Sequence, residues 1–273
     1  MTSPHTPGTR RGALARTVRW SGRHAQRLSS HALSAAVSWL EKRIDQHSTI
    51  GAGPFFPTES FTWPRSLEKN WKAIRQELDQ MLAYRDDLPN FQDISPEQRL
   101  LTDDDRWKTY FFYGYGFRFA GNCAQCPRTA TLLAGIPALT TAFFSVLGPH
   151  KRLPEHRGPY KGVIRYHLGL KIPSPPEACG IRVGGETAHW QEGKSLLFDD
   201  TYQHEAWNDT DEDRVVLFLD IVRPMPFPYS WLNALVITAV GRTSFVRNAR
   251  RNHADWEQRF EELRAQRERH RAP

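Results

Sequence analysis

Only three cysteines, Cys123, Cys126 and Cys179, occur in the 273 residues. So few, and an odd number, exclude the disulfide framework of a small secreted domain and favour a reducing compartment. Cys123 and Cys126 form a lone CxxC, which gives little support to a zinc or redox site without a second such pair or matching histidines. The chemistry of this chain is therefore expected elsewhere.

Long apolar runs are also missing. No segment reaches the roughly 20 apolar residues that span a bilayer, and the N-terminus has no apolar stretch followed by a small-residue cleavage site. The most apolar candidate, residues 231–240, contains Asn233 and Thr238. This segment is able to touch a membrane surface but is too short to cross a bilayer.

Acidic residues are absent before Glu41, whereas six arginines lie between Arg10 and Arg27, so much of the net charge of +7 belongs to this tail. Such a segment fits a transit peptide, an arm that contacts phosphate or lipid, or a solvated extension, and the last two are favoured. No recognition motif accompanies the arginines, so nucleic acid is not expected as a partner despite a pI near 9.5.

Aromatic residues make up 12% of the chain and include nine tryptophans, which excludes a disordered protein. We predict a basic arm over residues 1–50, a catalytic domain over residues 51–223 with its core at about 138–223, and an apolar, basic helical segment over residues 224–273. Within the domain, Ser66 is the expected N-cap of one amphipathic helix that reaches Met81. Residues 85–106 are expected to form a long loop over a pocket.

From Thr140 to about Arg223, short strand-like runs alternate with turns, which is typical of a sandwich or jelly roll. The period of two places Arg165 and His167 on one face of their strand. In the last strand, Arg214 begins a buried run and is positioned to hold an anion with two hydrogen bonds.

Two of the eleven histidines, His156 and His204, are candidates for a metal site. A single histidine is more often structural. Both of these, however, lie beside runs that place them at a barrel mouth, and Arg214 follows ten residues after the second. Imidazole suits Fe(II), and an arginine suits the far carboxylate of an acidic co-substrate. The grouping favours a non-haem iron site.

The region from Ala138 to Pro224 carries the motifs HRGPYKGVIRYHLGLKIP, CGIRV, WxEG, FDDTYQHEAWN and the arginine of DEDRVVLFLDIVRP. These motifs resemble the aspartyl/asparaginyl β-hydroxylase family of Fe(II)- and 2-oxoglutarate-dependent dioxygenases. The resemblance implies a mainly β fold, a double-stranded β-helix (jelly roll, cupin-like) with flanking N- and C-terminal helices. It also implies Fe(II) as cofactor, with 2-oxoglutarate and O2 as co-substrates.

The resemblance also implies residue roles. His156 and His204 match the iron ligands, Ser145 and Arg214 match the groups that hold the side carboxylate of 2-oxoglutarate, and two further polar residues of that pocket are matched by Arg165 and His167.

Gly158 departs from the pattern of many related dioxygenases, which have a carboxylate two residues after the first histidine. The resemblance implies that water completes the iron coordination here. It does not select among three substrates: an aspartyl or asparaginyl residue of a peptide, a related amino acid, and a lipid acyl chain. The basic arm and the aromatic C-terminal segment favour a membrane-associated acyl chain, whereas Gly158 favours the amino-acid side.

Two alternatives stay open. A catalytically silent β-barrel could bind an anionic ligand or partner through Arg165, His167 and Arg214, although such a binder has no use for both candidate iron ligands. The C-terminal segment, with Phe227, Trp231 and several arginines, fits either a membrane interface or a flap packed on the barrel or on a second copy. We expect a cytoplasmic protein, peripheral at the inner face of the membrane.

Overall fold

The computed structural model describes residues 35–271. The arginine-rich part of the predicted arm, residues 1–34, lies outside the described residues, as do residues 272 and 273. Residues 35–47 form a helix, α1. It is followed by Gly51, whose φ of 79° lies in the left-handed region that glycine adopts without strain.

Among the described residues, eleven strands form two antiparallel sheets. The strands are β1 (Phe55–Phe56), β2 (Trp107–Gly114), β3 (Phe117–Arg118), β4 (Leu139–Leu147), β5 (Lys151–His156), β6 (Val163–Lys171), β7 (Cys179–Val183), β8 (Glu186–His189), β9 (Ser195–Phe198), β10 (His204–Asn208) and β11 (Arg214–Val222).

The larger sheet has the order β1-β9-β6-β11-β4-β2-β3, and the smaller sheet has the order β5-β10-β7-β8. From β4 to β11 the chain changes sheet at every connection except the β7–β8 hairpin. Eight strands wound in this way form a double-stranded β-helix, or jelly roll. The predicted fold class, a β core with flanking helices, is confirmed.

The inner face of the larger sheet carries the residues that the strand alternation predicted to share one face. On β11, Phe218 lies opposite His167 of β6 and Phe143 of β4. The rings of Phe143 and Phe218 stack with centroids 4.2 Å apart, and Phe198 of β9 lies 5.0 Å from the His167 ring and 6.3 Å from the ring of His204 on the smaller sheet. This face therefore looks towards the smaller sheet.

Helices surround the two sheets. They are α2 (Pro64–Lys69), α3 (Trp71–Leu82), α4 (Phe91–Ile94), α5 (Ala120–Gln125), α6 (Pro127–Ala134), α7 (Tyr229–Gly241) and α8 (Ser244–Arg271). The predicted loop at 85–106 instead contains α4 and two 3-10 turns. Its Phe91 packs 4.7 Å from Trp107 and 5.4 Å from Phe143, so it covers one end of the inner face.

The prediction of a single helix from Ser66 to Met81 is wrong. The first helix begins at Pro64 and ends at Lys69, Asn70 follows as its C-cap, and a second helix begins at Trp71. The Asn70 side chain donates to the Ser66 carbonyl at 2.8 Å, which satisfies a helix end and breaks the run. The apolar face survives the break, because Ile74 and Leu78 are fully buried.

Glu77 lies on this largely apolar face because it caps another helix. Its carboxylate accepts hydrogen bonds from the backbone N–H groups of Arg128 and Thr129 at 2.8 Å each, and from the Thr129 hydroxyl at 2.7 Å. These groups belong to the first turn of α6, where backbone donors lack partners within the helix. A buried carboxylate thus fixes α6 against α3.

Candidate functional site

The two candidate iron ligands meet at one end of the jelly roll. His156 ends β5 and His204 begins β10, and the two residues lie directly opposite each other in the antiparallel pair. Their ring centroids are 4.0 Å apart, with the ring planes at 51°. Strand pairing therefore brings together two imidazoles that are distant in the sequence.

Both imidazoles are oriented by hydrogen bonds to the backbone. Nδ1 of His156 donates to the Pro154 carbonyl at 2.7 Å, and Nδ1 of His204 donates to the Tyr202 carbonyl at 3.0 Å. A neutral imidazole that donates through Nδ1 has a free lone pair on Nε2, which is the form that binds a metal. Burial lowers the pKa of His156, and burial together with the neighbouring His156 and Arg165 lowers the pKa of His204 to about 3.

Gly158 lies against Asp200. The Gly158 N–H donates to the Asp200 backbone carbonyl at 2.7 Å, and a Cβ at position 158 would overlap the Asp200 carboxyl group. The space beside position 158 is therefore already filled by a carboxylate from another part of the sequence. This explains in physical terms why glycine is required there, and it places Asp200 beside the histidine pair.

Asp200 is buried and held by Arg165. The guanidinium of Arg165 lies 2.9 Å from Oδ2 of Asp200 and 3.0 Å from Oδ1 of Asp220. Burial raises the pKa of Asp200 to about 6, and Asp220 and Asp199 add to the rise while Arg165 opposes it. Oδ1 of Asp200 has no hydrogen-bond partner within residues 35–271. It can accept a hydrogen bond from a molecule in the pocket.

A buried arginine lies at the other end of the inner face. Arg214 is 2% exposed, and its Nε and Nη1 atoms have no hydrogen-bond partner among the described residues. Its Cζ lies 4.3 Å from the centroid of the Trp190 ring. Burial lowers the pKa of this guanidinium, yet an arginine keeps its charge in proteins. A buried cation with free donors is suited to bind a carboxylate.

His167 presents a third free donor. The Trp190 indole, which can only donate, gives its hydrogen bond to His167 Nδ1 at 3.3 Å, so the proton of the neutral ring is on Nε2. Within the described chain, Nε2 has no partner. Burial and the nearby Arg214, Arg165 and His204 hold the pKa of His167 well below its usual value. The ring is therefore a neutral N–H donor.

Ser145 lies diagonally across from Arg214 on the same inner face, since Ser145 pairs with Val216 and Leu147 pairs with Arg214. The Trp107 indole donates to the Ser145 hydroxyl at 3.1 Å. That bond uses the hydroxyl as an acceptor and leaves its proton free to donate. Ser145, His167 and Arg214 thus present donors at the same part of the barrel.

A second buried charge network holds the loop that leads to His204. Asp199 is fully buried, pairs with Arg223, and lies 3.1 Å from the Lys161 ammonium. Its other oxygen accepts hydrogen bonds from the Thr201 backbone and hydroxyl. Lys161 also lies 3.1 Å from Asp45 of α1. The segment 199–204 is therefore fixed from both sides, which positions the His204 ring.

The structure brings the six predicted site residues into one interior. Four further residues of this interior were not predicted individually from the sequence: Asp199, Asp200, Trp190 and Trp107. A signal existed for the first two, because adjacent aspartates after an apolar strand are unusual at a buried position. Among residues 35–271, no group of three or more His, Cys, Asp or Glu side chains has the arrangement of a metal site. The ligand set offered by this chain is thus a pair of imidazoles with a carboxylate nearby.

These residues fit the groups that the resemblance implies. The two Nε2 lone pairs can hold a ferrous ion. The unpaired donors of Arg214 and His167 can hold one carboxylate of an acidic co-substrate, and without such an anion their burial is costly. The class of protein defined by fold and site is a jelly roll with a two-histidine candidate metal site and an internal anion pocket.

The chain belongs to the aspartyl/asparaginyl β-hydroxylase family, whose family model matches residues 68–224. An ornithine lipid ester-linked acyl 2-hydroxylase of Rhizobium tropici is 44% identical over 224 residues, which cover 82% of this chain and 80% of that protein. The aspartyl/asparaginyl β-hydroxylase of Homo sapiens is 36% identical over 165 residues, which cover 59% of this chain and 21% of that protein.

Among solved structures, the Cupin_2 domain of an XRE-family transcriptional regulator from Enterobacter cloacae overlaps 44% of this chain and 99% of that chain. The identity is 12% and the TM-score is 0.31. The fold is defined instead by the strand order of the two sheets.

Proposed function

We propose that this protein is an Fe(II)- and 2-oxoglutarate-dependent hydroxylase of a lipid acyl chain. The observation that carries the chemistry is the pair of imidazoles, His156 and His204, whose rings lie 4.0 Å apart and whose Nδ1 atoms donate to backbone carbonyls. The substrate class is supported by the 44% identity to a lipid acyl 2-hydroxylase over four fifths of each chain.

The overall reaction balances as follows. The C–H bond of the acyl chain becomes C–OH, O2 supplies one oxygen atom to the product and one to succinate, and 2-oxoglutarate loses CO2. Bound Fe(II) would supply the centre at which O2 is reduced with electrons from the keto acid.

The chain's own residues bind and orient the co-substrate. Arg214, with Ser145 and His167 as neutral donors, would hold the distal carboxylate of 2-oxoglutarate, because a buried guanidinium pairs with a carboxylate through two strong hydrogen bonds. Binding there neutralises the buried cation. Trp190 covers one face of the guanidinium and would keep water from that face.

Beside the histidines, Asp200 would accept a hydrogen bond from a molecule bound in the pocket. Its free Oδ1 and its fixed position on Arg165 suit that role. The histidines would hold the ion as neutral ligands, since their lowered pKa values keep the Nε2 lone pairs unprotonated.

The test is hydroxylation by the purified full chain with Fe(II), 2-oxoglutarate and ornithine lipid in mixed detergent micelles. The expected result is an equimolar yield of succinate and of lipid that has gained one oxygen atom, and fragmentation places the hydroxyl on C2 of the ester-linked acyl chain. Aspartyl and asparaginyl peptides form the parallel arm. If oxygen is incorporated into a peptide and not into the lipid, the proposed lipid substrate is contradicted. If no succinate forms in any arm, the proposed enzymatic function is contradicted.

A lipid substrate also requires the protein to meet a membrane. We therefore propose peripheral attachment at the cytoplasmic face. Among the described residues, no helix is both long enough and apolar enough to span a bilayer.

A further inference from the structure

We infer that α7 is an in-plane membrane-docking helix: its exposed apolar face inserts into an anionic phospholipid bilayer, and its opposite face is fastened to the loop that follows His156. This inference deepens the proposed function, on which the choice of a membrane as the partner rests.

The first observation is an apolar surface without cover. Large hydrophobic side chains that are strongly exposed are few among the described residues, and four of them lie between positions 227 and 240: Phe227 (80% exposed), Trp231 (57%), Leu235 (48%) and Val240 (38%). Trp231 and Leu235 are four residues apart and lie on one side of α7, and Phe227 lies in the segment just before the helix. A contiguous apolar surface of this kind marks an interaction site.

The second observation is the position of that surface on the helix. Asn233 is the one residue of α7 that is fully buried. Residues two positions away, Trp231 and Leu235, are rotated by about 200° from it and thus lie on the opposite side. Leu232 and Val236 pack against Leu40 and Ile44 of α1. The helix is therefore packed through its Asn233 side and through Leu232 and Val236, and among the described residues its opposite side is exposed.

The third observation is charge. Between Asp220 and Asp255 there is no acidic residue, whereas exposed arginines follow α7 at Arg242, Arg247, Arg250 and Arg251. Cations next to exposed aromatic residues fit the headgroup region of an anionic bilayer, where each basic residue adds attraction. A second copy of this chain would instead bring like charges together. Charge complementarity thus favours a membrane as the occupant.

The fourth observation is length. The thirteen residues Tyr229–Gly241 extend for about 20 Å as a helix. A bilayer core is about 30 Å thick. A helix of this length with one anchored side lies in the plane of the interface and does not cross.

The anchored side reaches the candidate active site. The Asn233 amide donates to the Gly162 carbonyl at 2.8 Å and accepts a hydrogen bond from the Tyr160 hydroxyl at 2.9 Å. A Cβ at position 162 would overlap the Asn233 side chain, so glycine permits this close approach. The loop 157–162 directly follows His156. Docking through α7 would hold the barrel end with the histidines next to the lipid surface.

The experiment is flotation of the full chain with vesicles of phosphatidylcholine, alone or mixed with phosphatidylglycerol. We expect binding to the mixed vesicles. The double variant Trp231→Ser/Leu235→Ser should lower the partition coefficient at least about tenfold, because two large apolar groups are lost from the interface. Leu100→Ser, an 88% exposed leucine in a different segment, is the matched control and should change it less than about twofold.

The charge contribution is tested separately. Arg247→Gln/Arg251→Gln should weaken binding to the anionic vesicles by about fivefold per residue and should leave binding to pure phosphatidylcholine nearly unchanged. Added salt should reduce the difference between the two vesicle types. Thermal melting checks that each variant is folded.

Three results would overturn the inference: no binding of the wild-type chain to either vesicle, binding that Trp231→Ser/Leu235→Ser leaves intact, or a lipid-independent dimer that this variant converts to a monomer in sedimentation analysis. Hydroxylation of ornithine lipid in detergent micelles separates this inference from the proposed function. If the double variant still hydroxylates micellar lipid but does not float with vesicles, the result supports both the proposed function and the docking helix. If the wild-type chain hydroxylates lipid but never floats with vesicles, only the docking helix is contradicted.

Discussion

The interior pocket and the outer side of α7 depart from ordinary packing in opposite directions. In the pocket, polar groups are buried without partners: Arg214, His167 and Asp200 each have a polar atom that lacks a hydrogen bond among the described residues. On α7, apolar groups such as Trp231 and Leu235 are exposed without cover. Each arrangement costs stability in the isolated chain.

The two regions are therefore suited to different ligands. Buried donors around a guanidinium gain their missing partners when an anion enters, and exposed apolar side chains lose their contact with water when a lipid surface covers them. In the core around β2 and β4, by contrast, the buried rings of Tyr110, Phe112 and Phe144 pack against one another. We therefore expect substitutions in the two regions to affect ligand binding far more than folding.

The largest effect is expected at the histidine pair. His204→Ala removes one of two protein ligands and should lower kcat/KM by about a thousandfold or more, with a matching loss of Fe(II) affinity. The measurement is oxygen incorporation by mass spectrometry together with Fe(II) titration. His150→Ala is the control, because His150 is an exposed histidine paired with Asp211. Retained Fe(II) binding and turnover in His204→Ala would contradict the assignment.

The next effect concerns the anion pocket, where ligand binding and folding stability should respond differently to the same substitution. Arg214→Met should raise the KM for 2-oxoglutarate about a hundredfold, because two charge-assisted hydrogen bonds are lost. The free energy of unfolding of the ligand-free protein should stay equal or rise by about 1 kcal/mol, since an unpaired buried cation is removed. Arg152→Met, at an exposed ion pair with Asp209, should change neither quantity much. A large loss of stability in Arg214→Met would show a structural role instead.

A smaller effect is expected at position 158. Gly158→Ala should destabilise the protein by about 2 kcal/mol in urea unfolding, because the added methyl overlaps the Asp200 carboxyl group. Gly135→Ala, where the nearest atom lies 3.4 Å from the added Cβ, should be close to neutral. In the double variant Gly158→Ala/Asp200→Ala the cost should be partly relieved. If the two changes in the free energy of unfolding were strictly additive, the residues at positions 158 and 200 would not be in contact.

The last prediction concerns the pH dependence of folding. Burial lowers the pKa of His253 and of His204 to about 3. Between pH 6.5 and 3 the unfolded chain therefore binds more protons at both sites, and stability should fall as the pH falls, by up to about 1.4 kcal/mol per pH unit for each. Asp200, whose pKa is raised to about 6, contributes in the opposite direction. Between pH 6 and the pKa of Asp200 in the unfolded chain, its protonation in the folded state increases stability as the pH falls. His253→Gln should reduce the slope in urea titrations, and an unchanged slope would contradict it.

Much of the barrel could be predicted from local patterns. The alternation in β6 and β11 is visible in the sequence because each strand has one face towards the interior, and Arg165, His167 and Arg214 share that face as expected. The strands of the smaller sheet were harder: β5 has the sequence KRLPEH, half exposed and containing a proline, so its pattern is weak. The break at Asn70 was missed because a side chain that caps a helix end also fits a continuous helix.

Local spacing along the chain indicates which residues are available and which faces they share, and it is enough to identify the two histidines, the arginines and the apolar helix near the C-terminus. Only the tertiary structure decided that His156 and His204 lie opposite each other, and that Asp200 fills the space beside Gly158. The reason is that strand pairing and close packing join residues that are distant in the chain, and local periodicity carries no information about such contacts.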